Sequence, residues 1–481
     1  MKRKLLGCVA ALMLAAGLAQ AQPFGPPPFP PPYPYPPPPP PPWMQYPPPR
    51  PYYPPPPPYP YAYGPMAPRY PYPPYAAPAP ASAEPARTAE PPVAAAPKEA
   101  PAAAAVAGPA VADLVEQERG PCLRYWLTPE YLLWVANPGH TPPLVTTGPP
   151  GTPFAGSLGV PGTTTLFGGN INYPALSGLR LSLGGWIDPE RKFAVEAQGF
   201  VLEQGVVNYS NAANLAGSPV LAVPYFNVST GAPGQFTISN PNGPQGLFPG
   251  LATLGNVFVT STSLLYGGEF NGYYNLFRTR GLSVDALGGF RYLGLQEALT
   301  MNTTGNIPFL GVTDTTSDRF ATTNNFFGGQ IGLKGTYQWK SLFVSGVIKC
   351  AVGVNNESVN VAGNTTIAGA GATSGTFAGG VLTQPSNIGQ QIKNSFGVVP
   401  QAQLKIGYEC TSYMRLFVGY DFLFWEGVAR PGDQIDTNIN PTQSHAAGGT
   451  GVLVGPTNPA PMFNRTNYFV QGFSAGIEFR Y

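Results

Sequence analysis

The sequence "YFVQGFSAGIEFRY", residues 468 to 481, carries an apolar side chain at every second position, through Phe473, Ala475, Ile477 and Phe479 to Tyr481. Ser474, Gly476, Glu478 and Arg480 lie between them. A period of two over this length is a β-strand with one oily and one polar face. A strand that reaches the last residue with its oily face intact is expected where the final strand closes on the first, as in a barrel without free edges.

The same alternation recurs upstream. "GLSVDALGGFRYLG" sets Leu282, Val284, Ala286, Phe290 and Tyr292 against Ser283, Asp285, Gly289 and Arg291. "FGGQIGLKGTYQW" sets Phe327, Ile331, Leu333, Tyr337 and Trp339 against Gln330, Lys334, Thr336 and Gln338. "QAQLKIGYE" and "RLFVGYDFLFW" repeat the pattern, with Leu404, Ile406, Leu416, Val418, Tyr420 and Phe422 on the apolar face. Tight turns at 188–191, 278–280, 339–341 and 410–412 alternate with long segments near 136–178, 204–262, 298–322, 356–395 and 428–466. Short turns at one end and long loops at the other are the plan of an outer-membrane barrel. The fold class expected is all-β, an antiparallel up-and-down transmembrane β-barrel of 10–12 strands, preceded by a disordered Pro-rich arm. Ten strands follow directly; the segments "FNVST" and "FTISN" in the second loop leave room for a further hairpin.

The N-terminus sets the compartment. Lys2, Arg3 and Lys4 precede an apolar run of about fourteen residues, too short for a transmembrane helix, and "AQA" at 19–21 supplies small residues for cleavage. Residues 1–21 read as a secretory signal peptide. Cys8 sits too close to the basic residues to serve as a lipidation site. From 22 to 120 the chain is Pro/Tyr-rich, then Ala/Pro-rich. Such a segment cannot bury a core, and its proline-dense part favours an extended polyproline II form of ~3.1 Å per residue. It is expected to be a disordered arm in the periplasm, and residues 121–481 the barrel. Residues 23–80, with tyrosines interleaved among the prolines, either contact the cell wall or a periplasmic protein or are low-complexity drift.

Net charge is +2 and only 10% of residues are charged, so no nucleic-acid footprint is present. Three cysteines beyond the signal form no disulfide framework; a pair between Cys122 and Cys410 at the turn end is open, and Cys350 is expected near the outer end of its strand. His140 and His445 are the two histidines, which leaves few metal ligands, and no cofactor or metal is expected. Asp433, Asp436, Ser444 and His445 share one loop, but its Gly and Ala content offers no rigid shell for catalysis; the chain is expected not to be an enzyme.

On this register Arg180, Glu196, Glu269, Asp285, Arg291, Lys334, Lys349, Lys405, Arg415, Asp421, Glu478 and Arg480 point inward as candidate lumen-lining residues. Both signs are present in near balance, which predicts weak ion selectivity if the lumen conducts. The alternative is that they pair across a narrow lumen and fill it. The two longest loops carry no Asp, Glu, Lys or Arg and could fold into the mouth. A lysine at inward Gln330 or Gln403 is expected to cost little.

One stretch resembles a known family. "RYWLTPEYLLWVANPG" (124–139), "PPLVTTG" (142–148) and "GLRLSLGGWIDPERKFAVEAQGFVLEQ" (178–204) are similar to the beta-barrel porin family of planctomycete bacteria. The resemblance implies a barrel in the cell outer membrane surrounded by outer-membrane lipid, and transport by name only. It supplies no substrate and no catalytic residue. "LLWV" stands where a second Trp or a Lys often follows. By a second resemblance, to outer-membrane proteins as a class, Phe473, Ile477, Phe479 and Tyr481 look like the signal read by the barrel-assembly machinery. Function is thus expected to be a passive porin for small solutes, or a plugged barrel anchoring the envelope through its arm and loops.

Overall fold

The computed structural model describes residues 124–243, 251–369 and 374–481. The signal peptide, the arm, Cys8 and Cys122 lie outside them.

Strand β1 (Tyr125–Ala136) rises along the wall and gives way to a hairpin, β2 (Gly139–Thr147) and β3 (Thr164–Ile171), before β4 (Leu176–Trp186) descends. At the exposed turn that follows, the Asp188 carboxylate accepts the backbone N–H groups of Lys192 and Phe193 at 2.7 and 2.6 Å. β5 (Phe193–Leu202) ascends and, after a two-residue break, continues as β6 (Gly205–Ala212). Both run against the same partner, so they count as one wall strand. A second hairpin, β7 (Leu221–Asn227) and β8 (Ala232–Ser239), precedes four long strands: β9 (Leu254–Arg278), β10 (Leu282–Ile307), β11 (Val312–Trp339) and β12 (Leu342–Gly369). Short β13 (Gly375–Ala378), then β14 (Gly389–Thr411), β15 (Met414–Val428), short β16 (Asn438–Ile439) and β17 (Thr466–Arg480) complete the chain.

The wall order is β1, β4, β5/β6, β9, β10, β11, β12, β14, β15, β17. It closes where β17 pairs with β1, from Trp126↔Arg480 to Ala136↔Val470. The wall has ten strands. The additional hairpin suspected in the second loop exists, as β7 and β8, but it joins β2, β3 and β16 in a separate five-stranded sheet at the loop end.

Three loop expectations are corrected: 204–262 includes wall strand β6 and the start of β9, 356–395 includes the upper parts of β12 and β14, and 298–322 is strand but for one turn. Residues 298–322 are no loop: β10 and β11 stay paired as far as Ile307↔Val312. They reverse over the single turn Pro308–Leu310, capped by Gly311 in the left-handed region (φ +59°), which glycine enters without a Cβ penalty. The physical cause is an inversion of pattern. Below Tyr292 the apolar residues Leu282, Val284, Ala286 and Phe290 of β10 point outward and only Leu287 points in; above it Leu293, Leu295, Leu299 and Met301 are buried inside, while Gln296, Thr300 and Asn302 face out. β11 and β12 invert likewise, with Phe320, Phe326, Val359 and Val361 inside and Thr323, Asn325, Asn356 and Ser358 outside. The period stays two throughout.

This inversion marks the membrane boundary. Tyr266, Tyr292 and Phe327 form an outward aromatic row across β9, β10 and β11, with ring centroids 6.1 and 5.1 Å apart. At the turn end Tyr337, Trp339, Tyr413 and Tyr481 are exposed. From Leu282 to Tyr292, at ~3.4 Å per residue and a tilt of ~40°, the apolar band is about 25 Å high, the height of an outer-membrane hydrocarbon belt. A lysine at outward Leu333 or Ile406, inside this band, is expected to cost about 2–4 kcal/mol, and one at Thr323, above it, about 0–1 kcal/mol. Urea unfolding in lipid vesicles checks the pair; equal costs would misplace the boundary.

Of the mild costs expected for lysine at inward Gln330 and Gln403, the first is also corrected. Gln330 is buried and donates from Nε2 to Asn271 Oδ1 and, at 3.2 Å, to Glu269 Oε2, so a cation there would displace a fixed donor beside Lys349. Gln403 is also buried but borders the open cavity at the turn end, so this reason applies to Gln330. Cys350 sits opposite Ile331 and Pro400 in the third of β12 nearest the turn end, well short of its outer end.

Candidate functional site

The barrel interior is layered. Nearest the turns is an open vestibule of about 570 Å³, walled by Trp126, Trp186, Tyr273, Lys334, Lys405 and Arg415 among others. Its rim includes the turn residues Thr279, Gly281 and Ser412.

Above it lies a layer of buried ion pairs. Arg180 on β4 donates to both oxygens of Asp421 on β15, at 2.9 and 3.1 Å, and to Glu130 on β1 at 2.6 Å. Lys405 on β14 reaches the other Glu130 oxygen at 2.7 Å. On the facing wall Glu269 pairs with Lys349 and, at 3.5 Å, with Arg291, which also donates to Gln401. Arg180, Glu130 and Asp421 are almost fully enclosed. In so low a dielectric each charge is tolerable only with its partner.

Next comes an apolar septum to which all ten wall strands contribute. Leu132, Trp134, Leu176, Leu202, Leu265, Leu293, Leu295, Phe326, Ala351, Val399, Leu423, Trp425, Tyr468 and Val470 form one packed cluster, with exposures of 0 or 1%. Trp425 Nε1 donates to Asn355 Oδ1 at 2.8 Å and its ring meets Phe326 edge-on. Inward side chains lining an open pore would be wet; these are dry.

The loops fill the mouth above the septum. The five-stranded sheet lays Leu144, Val145, Leu221, Val223, Phe236 and Ile238 against Val257, Val259, Leu299, Met301, Phe320 and Val359 of the tall wall. Polar anchors hold the remaining loops. Arg430, just beyond β15, donates from Nε and Nη2 to the two oxygens of Glu297, at 2.9 and 2.8 Å, and from Nη1 to the Pro138 carbonyl at 2.8 Å. Burial works against its charge, but the Glu297 carboxylate outweighs that and holds the guanidinium above its ordinary range. Asp318 of β11 accepts the N–H groups of Val381, Leu382 and Thr383 at 2.7–3.0 Å, and the Thr383 hydroxyl at 2.7 Å. Arg465 pairs with Glu357 at 2.6 Å. Gly432 packs so closely on the His140 carbonyl that any Cβ would collide with it.

All twelve residues read as inward from the sequence belong to the interior, but in separate groups. Arg180, Asp421 and Lys405 share one ion cluster, and Glu269, Arg291 and Lys349 another. Glu196 accepts from Trp126 Nε1 and the Tyr273 hydroxyl at 2.8 and 2.9 Å. Asp285 is bonded by Asn275, Arg415 by Glu409 at 3.2 Å and Arg480 by Glu478 at 2.5 Å. Lys334 stands 5.3 Å from the centre of the Tyr273 ring. Of the terminal residues, Phe473 and Tyr481 are exposed on the outer face, and Ile477 and Phe479 are half-exposed.

Three residues of the loop read for catalysis have partners of their own. His445 stacks on Phe377 at 3.8 Å, Asp436 accepts from Asn438 and Ala460, and Ser444 Oγ accepts from Ala447. Cys410 is held in a disulfide, and Cys350 is free. Sequence reasoning missed the septum and the loop anchors Glu297, Asp318, Glu357 and Arg430. The available signal was the run of apolar residues in the inward phase, beginning at Leu293.

No curated protein matches the chain. Among solved structures, the outer membrane protease OmpT from Escherichia coli is similar at 8% identity, with 74% of this chain and 97% of that chain covered and a TM-score of 0.35. The outer-membrane expressed OmpT of Vibrio cholerae is similar at 7% identity, with 75% and 97% covered and a TM-score of 0.16. The TodX deltaS2S3 mutant, a monoaromatic hydrocarbon channel, is similar at 10% identity, with 77% and 94% covered and a TM-score of 0.17. The family described as "Putative beta barrel porin-7 (BBP7)" matches residues 126–481, which takes in the whole wall from β1 to β17, and the chain belongs to that family of outer-membrane β-barrels.

Proposed function

We propose that this protein is a plugged outer-membrane barrel whose role is structural, joining the outer membrane to neighbouring envelope layers through its loops and its Pro/Tyr-rich arm. The septum carries this reading: among the described residues, buried side chains from every wall strand pack into one apolar cluster inside the barrel. The loop sheet and the Arg430–Glu297 anchor above it support the same reading. On this proposal the arm, residues 22–120, lies in the periplasm, and no catalysis occurs.

The competing reading is a passive porin for small solutes with weak ion selectivity. The polar vestibule and the mixed charges of the ion layer favour it, but it requires the septum to move aside. Purified full-length protein in a planar bilayer decides between them. The expected result is an unbroken baseline from protein shown to be folded by faster migration of the unheated sample on gels. Discrete steps of weak selectivity would reject the plugged reading.

The arm is tested separately. Deletion of 23–110 is expected to leave barrel assembly intact, because that composition cannot pair into a sheet, while reducing recovery with the cell-wall fraction. Unchanged fractionation would remove the arm from the proposal.

A further inference from the structure

The vestibule at the turn end is unexplained by anchoring. It is a built cavity of about 570 Å³, within the range of small-molecule sites, and its two sides differ. One side, from β11 round to β17, carries Lys334, Lys405, Arg415 and Arg480. The other carries a fixed aromatic corner: Trp126 and Trp186 lie with ring centroids 6.0 Å apart, and Trp126 is locked in place by its indole N–H to Glu196.

The charge balance of the lining is uneven, with eight cationic side chains against five carboxylates. Five of the eight cations are already matched: Lys405 by Glu130, Lys349 by Glu269, Arg278 by Asp285, Arg415 by Glu409, Arg480 by Glu478. Lys334 is not. No ion pair within 4 Å joins it to a described carboxylate, and its ammonium rests near the Tyr273 ring. A cation without an ion pair and an aromatic corner lining one water-accessible space are elements that recognise an acid group on a flat body.

We propose that the vestibule is a binding site for a small ring-bearing carboxylate. The carboxylate meets Lys334, on the side of the cavity that also carries Arg415, and the ring lies toward Trp126 and Trp186. The site opens at the turn end, so it is loaded from that side and needs no passage through the septum. The inference is independent of whether the barrel conducts.

The test uses full-length protein folded in detergent, with tryptophan fluorescence and calorimetry as readouts and galacturonate as probe. Saturable binding of galacturonate is expected, about tenfold or more tighter than that of neutral galactose, and weakened by added salt. Lys334→Gln should lose about tenfold in affinity, since it removes the charge-assisted bond, while Lys334→Arg should keep it. Lys340→Gln, at an exposed turn, is the control. Because Lys334 has no ion pair to lose, its variants are expected to fold, as checked by gel mobility. Should Lys334→Gln not fold, Lys334→Arg and the galactose comparison still decide. No saturable binding of galacturonate, equal binding of galactose, or an unchanged affinity in folded Lys334→Gln would each overturn the proposal.

Discussion

Replacing Arg180 with methionine is expected to cost the barrel about 3–5 kcal/mol, the scale for removing one member of a buried ion cluster. Arg180 neutralises Asp421 through two hydrogen bonds and shares Glu130 with Lys405. Without it Asp421 keeps no cation within salt-bridge distance, and Glu130 keeps one. The measurement is the urea midpoint at which the fast-migrating folded band disappears. Substituting all three residues together, Arg180→Met with Asp421→Leu and Glu130→Gln, should recover most of the loss, because the penalty belongs to the orphaned charges more than to the missing pair. If Arg180→Met alone were neutral, the layer would be hydrated, and the septum above it would no longer isolate two compartments.

The second large effect concerns the seal itself. Trp134→Ala, Phe326→Ala and Trp425→Ala together remove three of the four buried aromatic rings of the septum, yet are expected to give no conductance while the loop sheet remains in the mouth. Excising 140–170, 214–252 and 430–464 behind short linkers, which removes the loop sheet, should likewise stay silent while the septum remains. Only the combination should produce steps in a planar bilayer. Glu297→Gln must accompany the excision, since losing Arg430 otherwise strands a buried carboxylate. Each tryptophan truncation is expected to cost about 3–5 kcal/mol, so the barrels should be compared at low denaturant. Steps from either partial variant would show that one of the two barriers is no barrier.

Much of the wall was legible in the sequence because lipid imposes a strict alternation. Leu404, Ile406, Val418 and Tyr420 must face hydrocarbon, and nothing else in the strand can. The tight turns followed from Asp188 and its neighbours for the same local reason. The loop end was harder. Between Leu293 and Phe320 the alternation persists, but its phase reverses and its outward members are Thr, Asn and Gln, so the stretch lacked the lipid signature and looked like loop. The inward charges were also correctly oriented, yet their pairing was not readable. Arg180 and Asp421 are brought together by strands 241 residues apart, and only wall closure sets that distance. The anchors Asp318 and Arg430 satisfy loop backbone groups, a role that depends on where the loops land.

The phase reversal in β10 and β11 has a mechanical consequence. Their hydrogen-bond ladder runs without a bulge from Leu282↔Tyr337 to Ile307↔Val312, passing through the aromatic row as if no boundary were there. The part embedded in lipid and the part standing in water are therefore one continuous beam. A load on the outer rim has no hinge in which to dissipate, and it reaches the opposite edge of the wall through backbone bonds alone.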